Sequence, residues 1–557
     1  MGMQIGAFDA PAMSVRWRVV FNCSKIAFMK QNSNDSIPVI DLFAGPGGLS
    51  EGFSALQTEC GNPFKICLSV EKDMYAHSTL ELRSFFRQFS RDRIPEEYYS
   101  YLRKEISRAE LFSAWPEEAE KAGKEVWRAE LGSEGLSDDS VDEKIKSALG
   151  GSEKWVLTGG PPCQAYSTVG RSRNKGEKSY VPEKDKRHFL YREYLSIIAR
   201  HWPSVFVLEN VKGILSARVN GNNIFDHILE DLHDPLSALE ISLPSGKSGY
   251  SYRIYSIVKS SSFPFDSSHA KFSPSDYLVM SEDYGIPQSR HRVILLGIRE
   301  DMGDIRPAIL KPRDRVNAAS VLEGLPVVRS GLSREEDSFK SWEGRVREIT
   351  SDDLLDSVCG ENEKDVWDCI GKALGMLYKS EQYGRGGEFI SCVAGCPEDL
   401  AGWYFDPRLK GVCNHMTKAH MTGDLHRYLF ASCFAKVHGK SPTLPDFPEK
   451  LWPEHRSAQK SKRSEIFSDR FRVQMASKPS TTVMSHIAKD GHYYIHYDAS
   501  QCRSLTVREV ARLQTFPDNY FFEGPRTQQY IQVGNAVPPL LAFQVAEKVH
   551  DIFSRIV

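Results

Sequence analysis

A chain of 557 residues is too long for one hydrophobic core and points to two or three domains. Its 41% hydrophobic and 26% charged residues are those of an ordinary soluble globular protein, with no apolar run long enough to span a membrane and no recognisable signal peptide. A formal net charge of −2 leaves a nucleic-acid partner open, because a basic groove balanced by acidic surface sums to the same value, and 11 cysteines fit a reducing intracellular compartment.

Residues 1–35 precede the first apolar run and form an N-terminal extension of mixed character. Val39-Ile40-Asp41-Leu42-Phe43-Ala44-Gly45-Pro46-Gly47-Gly48-Leu49-Ser50 then reads as a buried strand running into a glycine-rich turn, with a helix from Leu49 to Leu56. That is the first βα unit of a doubly wound α/β sheet. Ligands sit over the carboxyl ends of such strands, glycines let them approach the backbone, and the helix N-terminus favours their anionic groups. A second strand, Phe64 to Val70, leads to Glu71, which is placed to hydrogen-bond ribose hydroxyls. The glycine spacing is Gly-x-Gly-Gly rather than Gly-x-Gly-x-x-Gly, which argues against a dinucleotide. Arg83 to Gly150 is rich in Glu, Lys and Arg at helical spacing and is expected to be a helical insertion.

A third strand, Trp155-Val156-Leu157-Thr158, ends in Gly159-Gly160-Pro161-Pro162-Cys163-Gln164. Two glycines allow close backbone approach and two prolines stiffen the loop, so the Cys163 thiol is presented rather than buried. A thiolate held this way suits covalent attack on an electrophilic ring, although a tight turn with an incidental thiol has the same letters. The basic stretch Gly170-Arg171-Ser172-Arg173-Asn174-Lys175 suits closure over a phosphate backbone, or is a solvated loop. Val205 to Val211 is again apolar until Glu209-Asn210, putting Glu209 at the same sheet edge as Cys163, where a carboxyl can donate a proton or simply cap a helix. In Tyr284-Gly285-Ile286-Pro287-Gln288-Ser289-Arg290-His291-Arg292, ahead of the strand Val293 to Ile298, two arginines at alternate positions point the same way. They can fork onto a carbonyl or phosphates, or serve as surface charge.

Pro312 to Asp498 carries few motifs. Cys392, Cys396, Cys413 and His415 do not follow a standard zinc spacing, and His415 to Phe434 reads as a helix, so no metal site is expected. Lys460 to Arg463, Asp469-Arg470-Phe471-Arg472 and Ser485 to Tyr494 interleave basic and aromatic residues in a way that suits contact with nucleic acid. Arg503-Ser504-Leu505-Thr506-Val507-Arg508-Glu509-Val510-Ala511-Arg512-Leu513-Gln514-Thr515-Phe516-Pro517 and Gln532-Val533-Gly534-Asn535-Ala536-Val537-Pro538-Pro539 follow, and then a C-terminal helix, Leu540 to Ile556.

In this order, the glycine loop, the ribose acid, the Pro-Cys loop, the Glu-Asn-Val strand end, Gln-x-Arg-x-Arg and the two C-terminal motifs resemble the cytosine-5 DNA methyltransferases. The resemblance implies a Rossmann-like catalytic domain over residues 36–311 with the insertion at 83–150, a smaller target-recognition domain over 312–526, and a return to the catalytic domain over 527–557. It implies that S-adenosyl-L-methionine (AdoMet) is held by Asp41, Phe43, Gly45, Gly47, Gly48, Leu49, Glu71, Lys72, Asp185, Leu190, Asn535 and Ala536. Cys163 would add to carbon 6 of a flipped-out cytosine, Glu209 would bond the ring nitrogen and exocyclic amine, and Arg290 and Arg292 would sit at the ring carbonyl. Gln164, Ser167, Arg171, Arg173, Arg470 and Arg472 are the expected contacts to double-stranded DNA.

Two departures stand out. Lys72 occupies the position where the family often has an aromatic residue over adenine, leaving the Lys72 stem or Met74 to cover that ring, and Leu131 to Leu149 offers no clear equivalent of the family's Gly-Asp pair. The implied setting is a cytoplasmic, nucleoid-associated monomer serving restriction-modification or phage defence, with associated restriction or defence proteins. A tRNA-methylating relative and a non-catalytic DNA-binding homologue remain as alternatives. The long recognition region argues against the first, and the retained Cys163, Glu209, Arg292 and glycine loop against the second.

Overall fold

Strand β1 (Ile37–Leu42) lies inside the main sheet, parallel to β2 (Phe64–Glu71) on one side and β4 (Val156–Gly159) on the other. The structure is a computed structural model and describes residues 36–162, 189–219, 222–242, 249–264, 273–350, 364–393, 395–453 and 469–556, which all belong to one compact unit, Ser36–Val557. Among the described residues no helix is long and apolar enough to cross a membrane.

With β3 (Val126–Arg128), β5 (Val205–Val211), β6 (Tyr252–Ser256), β7 (Ser262–Phe263), β8 (Leu278–Met280) and β9 (His291–Arg299), the main sheet runs β3-β2-β1-β4-β5-β9-β6-β7, and β8 also pairs with β9. It is parallel from β3 to β5, as a doubly wound sheet requires, and antiparallel from β9 onward. Its strands read as unbroken apolar runs because both faces are covered. Ile40, Leu42, Leu157, Phe206 and Leu208 enter one core, while their neighbours Val39, Val156, Val205 and Val207 enter the other.

Helix α1 (Gly48–Ala55) begins at the glycine turn and packs on the C-terminal helix Pro539–Phe553, whose Leu541, Val545, Val549 and Ile552 are fully buried. Burying each such side chain contributes about 1.5–3 kcal/mol. The C-terminal helix thus fastens the far end of the chain to the first βα unit. Helix α2 (Met74–Arg87) starts where the Asp73 carboxylate accepts the Tyr75 and Ala76 amides.

The insertion departs from its all-helical expectation. Helices α3 (Glu96–Leu102), α4 (Arg108–Ala114), α5 (Pro116–Glu125) and α6 (Asp138–Leu149) form, but Val126-Trp127-Arg128 adds β3 to the sheet beside β2. The insertion also braces the distal region: Tyr99 donates to Asp406 (2.7 Å), Tyr101 to Glu523 (2.6 Å), and Lys104 pairs with Glu388 (2.9 Å).

A second correction falls in the distal region. His415 lies in a strand, Gly411–Met416, antiparallel to Gly386–Ser391, and the helix begins only at Thr422. The hydrophobic content of Leu425 to Phe434 carried the expected helix too far upstream. Both ring nitrogens of His415 are engaged, by Thr506 (2.8 Å) and the Pro326 carbonyl (2.9 Å). Among the described residues no three His, Cys, Asp or Glu side chains are grouped as metal ligands.

Candidate active site at the sheet edge

The first half of the site is the turn after β1. Phe43, Gly45 and Gly47 all take positive φ there (56°, 57° and 92°). The Glu71 carboxylate, at the end of β2, accepts the Gly45 amide through Oε2 and the Asp73 amide through Oε1, both at 2.8 Å, so it clamps the turn to the start of α2. A Cβ on Gly45 would meet nothing within 4 Å, so this face of the turn is open. A Cβ on Gly48 would stand 2.1 Å from the Val537 carbonyl oxygen, so close packing explains that glycine and draws the Asn535-Ala536 segment against the turn. Leu49 is buried in α1.

Asp41 has a different place from the one expected. It is fully buried beneath the turn, where Ser50 (2.6 Å) and Thr158 (3.1 Å) donate to its two oxygens. Burial pushes its carboxyl up to about 6, against those two hydrogen bonds. Asp41 therefore supports the turn from below and does not face a ligand.

Beside Glu71 lies an open cavity of about 730 Å³ lined by Lys72 to Tyr75 and Arg128 to Glu130. Lys72 and Glu130 form an exposed ion pair across it (3.1 Å), and Met74 is 47% exposed. Glu130 escaped the sequence reading because the strand before it, β3, is only three residues long. The signal was the same one that marked Glu71, an acid closing a short strand at the same edge. Asn535 is exposed at the end of the helix Arg526–Asn535, Ala536 is buried with its carbonyl accepting Gln514 Nε2 (3.2 Å), and Leu190 is partly buried in the first turn of the helix Phe189–His201.

The second half lies where β4, β5 and β9 meet. Gly159 pairs with Leu208, which sets Glu209 level with Gly160, and a Cβ on Gly160 would stand 3.0 Å from Glu209 Oε2. Arg292 reaches Glu209 from the neighbouring strand (Nε to Oε1, 2.7 Å), and each side chain is 13% exposed. Arg292 Nη1 also donates to the His291 carbonyl (2.8 Å). Pro162 ends the described part of this loop. Cys163, Gln164, Ser167, Arg171, Arg173 and Asp185 lie outside the described residues, as do Lys460 to Arg463.

Arg290 differs from Arg292 and lies just before β9, outside the strand. It is 1% exposed and donates to the carbonyls of Val483 (2.7 Å) and Gly534 (3.2 Å). Gln288 is likewise buried between Gln514, the Leu513 carbonyl and the Val483 amide. Arg290 is thus a strut between distant segments, and Arg292 alone of the two arginines meets Glu209. In the distal region Arg472 pairs with Asp469 (2.6 Å) and lies 4.6 Å over the Tyr493 ring, while Arg470 is half-buried, which lowers its pKa.

Residues 102–236 and 408–551 match the family described as C-5 cytosine-specific DNA methylase. The type II methyltransferase M.Bpa9945I of Bacillus paralicheniformis is 32% identical over 93% of this chain and 99% of its own length. The chain belongs to this family. It is a DNA (cytosine-5-)-methyltransferase. The type II methyltransferase M.DdeI of Desulfomicrobium norvegicum is 24% identical over 93% of this methylase and 89% of its own length. For M.ApeKI of Aeropyrum pernix, a DNA (cytosine-5-)-methyltransferase, the values are 26%, 74% and 84%.

Proposed function

We propose that this methylase modifies cytosine within one short DNA sequence, using AdoMet and a covalent Cys163 adduct, and that it serves a restriction-modification or phage-defence system in the cytoplasm. The observation that carries the reading is the Glu209–Arg292 pair at 2.7 Å, beside the Gly160-Pro161-Pro162 loop that leads to Cys163. Two of the three functions needed on one base, a carboxyl and a guanidinium, share this sheet edge, and the loop toward Cys163 leaves from it.

The residues present fit AdoMet. The open face of Gly45 admits a charged group to the backbone, Glu71 beside it is the candidate for the ribose hydroxyls, and the cavity beyond Glu71 offers Glu130 to an exocyclic amine and the Lys72 stem or Met74 to a ring face. AdoMet would supply an electrophilic methyl group on a sulfonium. Asn535 closes the site from the C-terminal side.

Cytosine carbon 5 becomes nucleophilic only when something adds at carbon 6. The Cys163 thiolate makes that bond while Glu209 holds a proton at the ring nitrogen, neutralising the charge that develops there. Arg292 fixes the Glu209 carboxylate and faces the ring carbonyl. After methylation, loss of the carbon-5 proton expels the thiolate and restores the ring. The base must leave the duplex for this, at a cost of roughly a few kcal/mol. Residues 312–526 are the proposed recognition domain, with Arg470, Arg472 and Tyr493 against the DNA.

A duplex carrying 5-fluorocytosine tests the covalent step, since carbon 5 then has no proton to lose. In random-sequence duplex fully substituted with 5-fluorocytosine, the wild-type chain with AdoMet is expected to give a complex that survives denaturing electrophoresis, and Cys163→Ser none. A stable complex with Cys163→Ser would assign the nucleophile elsewhere.

A further inference from the structure

Away from the sheet edge, two cationic side chains converge on one peptide, Thr417-Lys418, between the strand Gly411–Met416 and Ala419–His420, with Lys418 and Arg329 close by. Arg385 Nη2 (3.4 Å) and Arg526 Nη1 both donate to the Thr417 carbonyl, which brings two guanidinium groups side by side. The Thr417 hydroxyl donates to the Arg329 carbonyl, and the Thr417 amide to that of Arg385, so the backbones of both arginines are pinned to the same spot. Lys418 is 7% exposed. Its ammonium lies 4.5 Å over the Tyr530 ring and donates to the carbonyls of Ile487 and Lys489. Burial, with Arg526 beside it, pushes the Lys418 ammonium down to about 7.

Two carboxylates face this group, fewer than its cations. Asp337 is committed to Arg329 (2.7 Å) and the Leu332 amide (3.1 Å), and its other oxygen is 3.6 Å from Arg385 Nε. That Nε is buried without a hydrogen-bond acceptor. Asp490 is 60% exposed and 4.0 Å from His492. His420, also at the cluster, is held neutral by burial and by the surrounding cations. Gly331 makes room for the arrangement, since a Cβ there would stand 2.4 Å from Arg385 Nε. The Arg385 side chain remains 27% exposed and Arg526 is partly exposed, so the cationic face is open to solvent.

The cluster is tied to the active site from two sides. Arg526 opens the ten-residue helix that ends at Asn535, about 15 Å away at 1.5 Å per residue, and Gly524 before it packs on Tyr75 at the cavity beside Glu71. Lys489, which holds Lys418, closes the turn Ser485–Ala488 that follows Val483, the anchor of Arg290.

We propose that Arg385 and Arg526 clamp a backbone phosphate of the DNA substrate, with the Thr417 carbonyl holding the two guanidinium groups side by side. The contact positions the duplex without reading its sequence. This rests on DNA being the substrate. Each phosphate neutralised contributes about 0.9 to the slope of log affinity against log salt, a quantity that a purely structural role leaves unchanged.

The test is binding of a random-sequence 30-base-pair duplex to the full chain between 50 and 200 mM salt, with AdoMet affinity measured alongside. Arg526→Gln, which opens the clamp, is expected to flatten the slope by about 0.9 and the double variant Arg385→Gln/Arg526→Gln to flatten it no further, with AdoMet affinity within twofold of wild type. Arg526→Lys should restore most of the slope. Arg345→Gln, at an exposed arginine paired with Glu335 and Glu348, should leave it unchanged. A wild-type slope in folded Arg526→Gln would overturn the clamp even if the double variant does not fold. Failure of the wild-type chain to bind any duplex would instead overturn the functional reading on which the clamp rests.

Discussion

The sheet edge and the region over residues 312–526 hold their polar groups by different means. At the edge, strands end in register and a few side chains project from the last residues: Glu71 from β2, Glu209 from β5, and Arg292 from β9. Their partners are one strand or one turn away. In the distal region the links are long, and buried arginines make them. Arg503 joins Glu509 through two hydrogen bonds and reaches the Val328 carbonyl, Arg508 reaches the carbonyls of Cys413, Pro517 and Tyr520, and Arg512 joins Asp518 and reaches Val321 and Glu323. All three are at most 1% exposed. The comparison teaches that the Arg-Ser-Leu-Thr motif is a fastener rather than a reader of DNA. Glu209 at the edge is proposed for chemistry, whereas Glu509 and Asp518 in the fastener pair with buried arginines.

Exchanging one carboxylate of each kind breaks this comparison most sharply. Glu209→Gln is expected to lower kcat by about 10²- to 10⁴-fold, with DNA and AdoMet affinities within a few fold of wild type, measured by methyl transfer and equilibrium binding. A change confined to KM would make Glu209 a binding group only. Arg503→Ala strands a buried Glu509 and should cost about 3–5 kcal/mol of stability, read as the denaturant midpoint at constant m-value. Near-wild-type stability would show that the fastener is elsewhere.

The smallest effect is the pH response. Burial holds His415 and His496 down to about 4, and, against the opposing effect of its own burial, Glu509 is kept well below the usual carboxylate range by Arg503 and His496. Below about pH 6.5 the unfolded chain takes up protons that the two folded histidines refuse until about 4, so stability in this region falls as pH drops through that window. Asp41, raised to about 6, has the opposite sign: the folded state binds its proton first, and acidification favours the glycine turn. Hydrogen exchange at pH 7.5 and 5.5, corrected for intrinsic rates, should show protection lost around Gly411–Met416 and Val507–Leu513 and retained in β1. Equal losses in both would remove the distinction.

The same difference decides what was legible in the sequence. Apolar runs closed by Gly, Glu or Asn marked β1, β2, β4 and β5 to within a residue or two, because a strand covered on both faces writes its whole length in apolar letters. Three-residue β3 was too short to show any period, and Glu130 went unplaced with it. Arg290 and Arg292 looked alike because alternation records the face of a strand but not what waits there. The partners that separate them, Val483 and Gly534 against Glu209, are 193 and 244 residues away for one and on the adjacent strand for the other. Asp41 ended an apolar run just as Glu209 does, and only the hydroxyls of Ser50 and Thr158 beneath it distinguish a support from a ligand.

The most direct measurement is bisulfite sequencing of DNA from a host without cytosine methylation, expressing either this chain or Cys163→Ala. The expected result is modified cytosine within one recurring short sequence for the wild-type chain and none for the variant at equal expression. Modification by both proteins would remove Cys163 from the chemistry, and an unmodified genome with soluble, AdoMet-bound wild-type protein would contradict the proposed activity on DNA in that host.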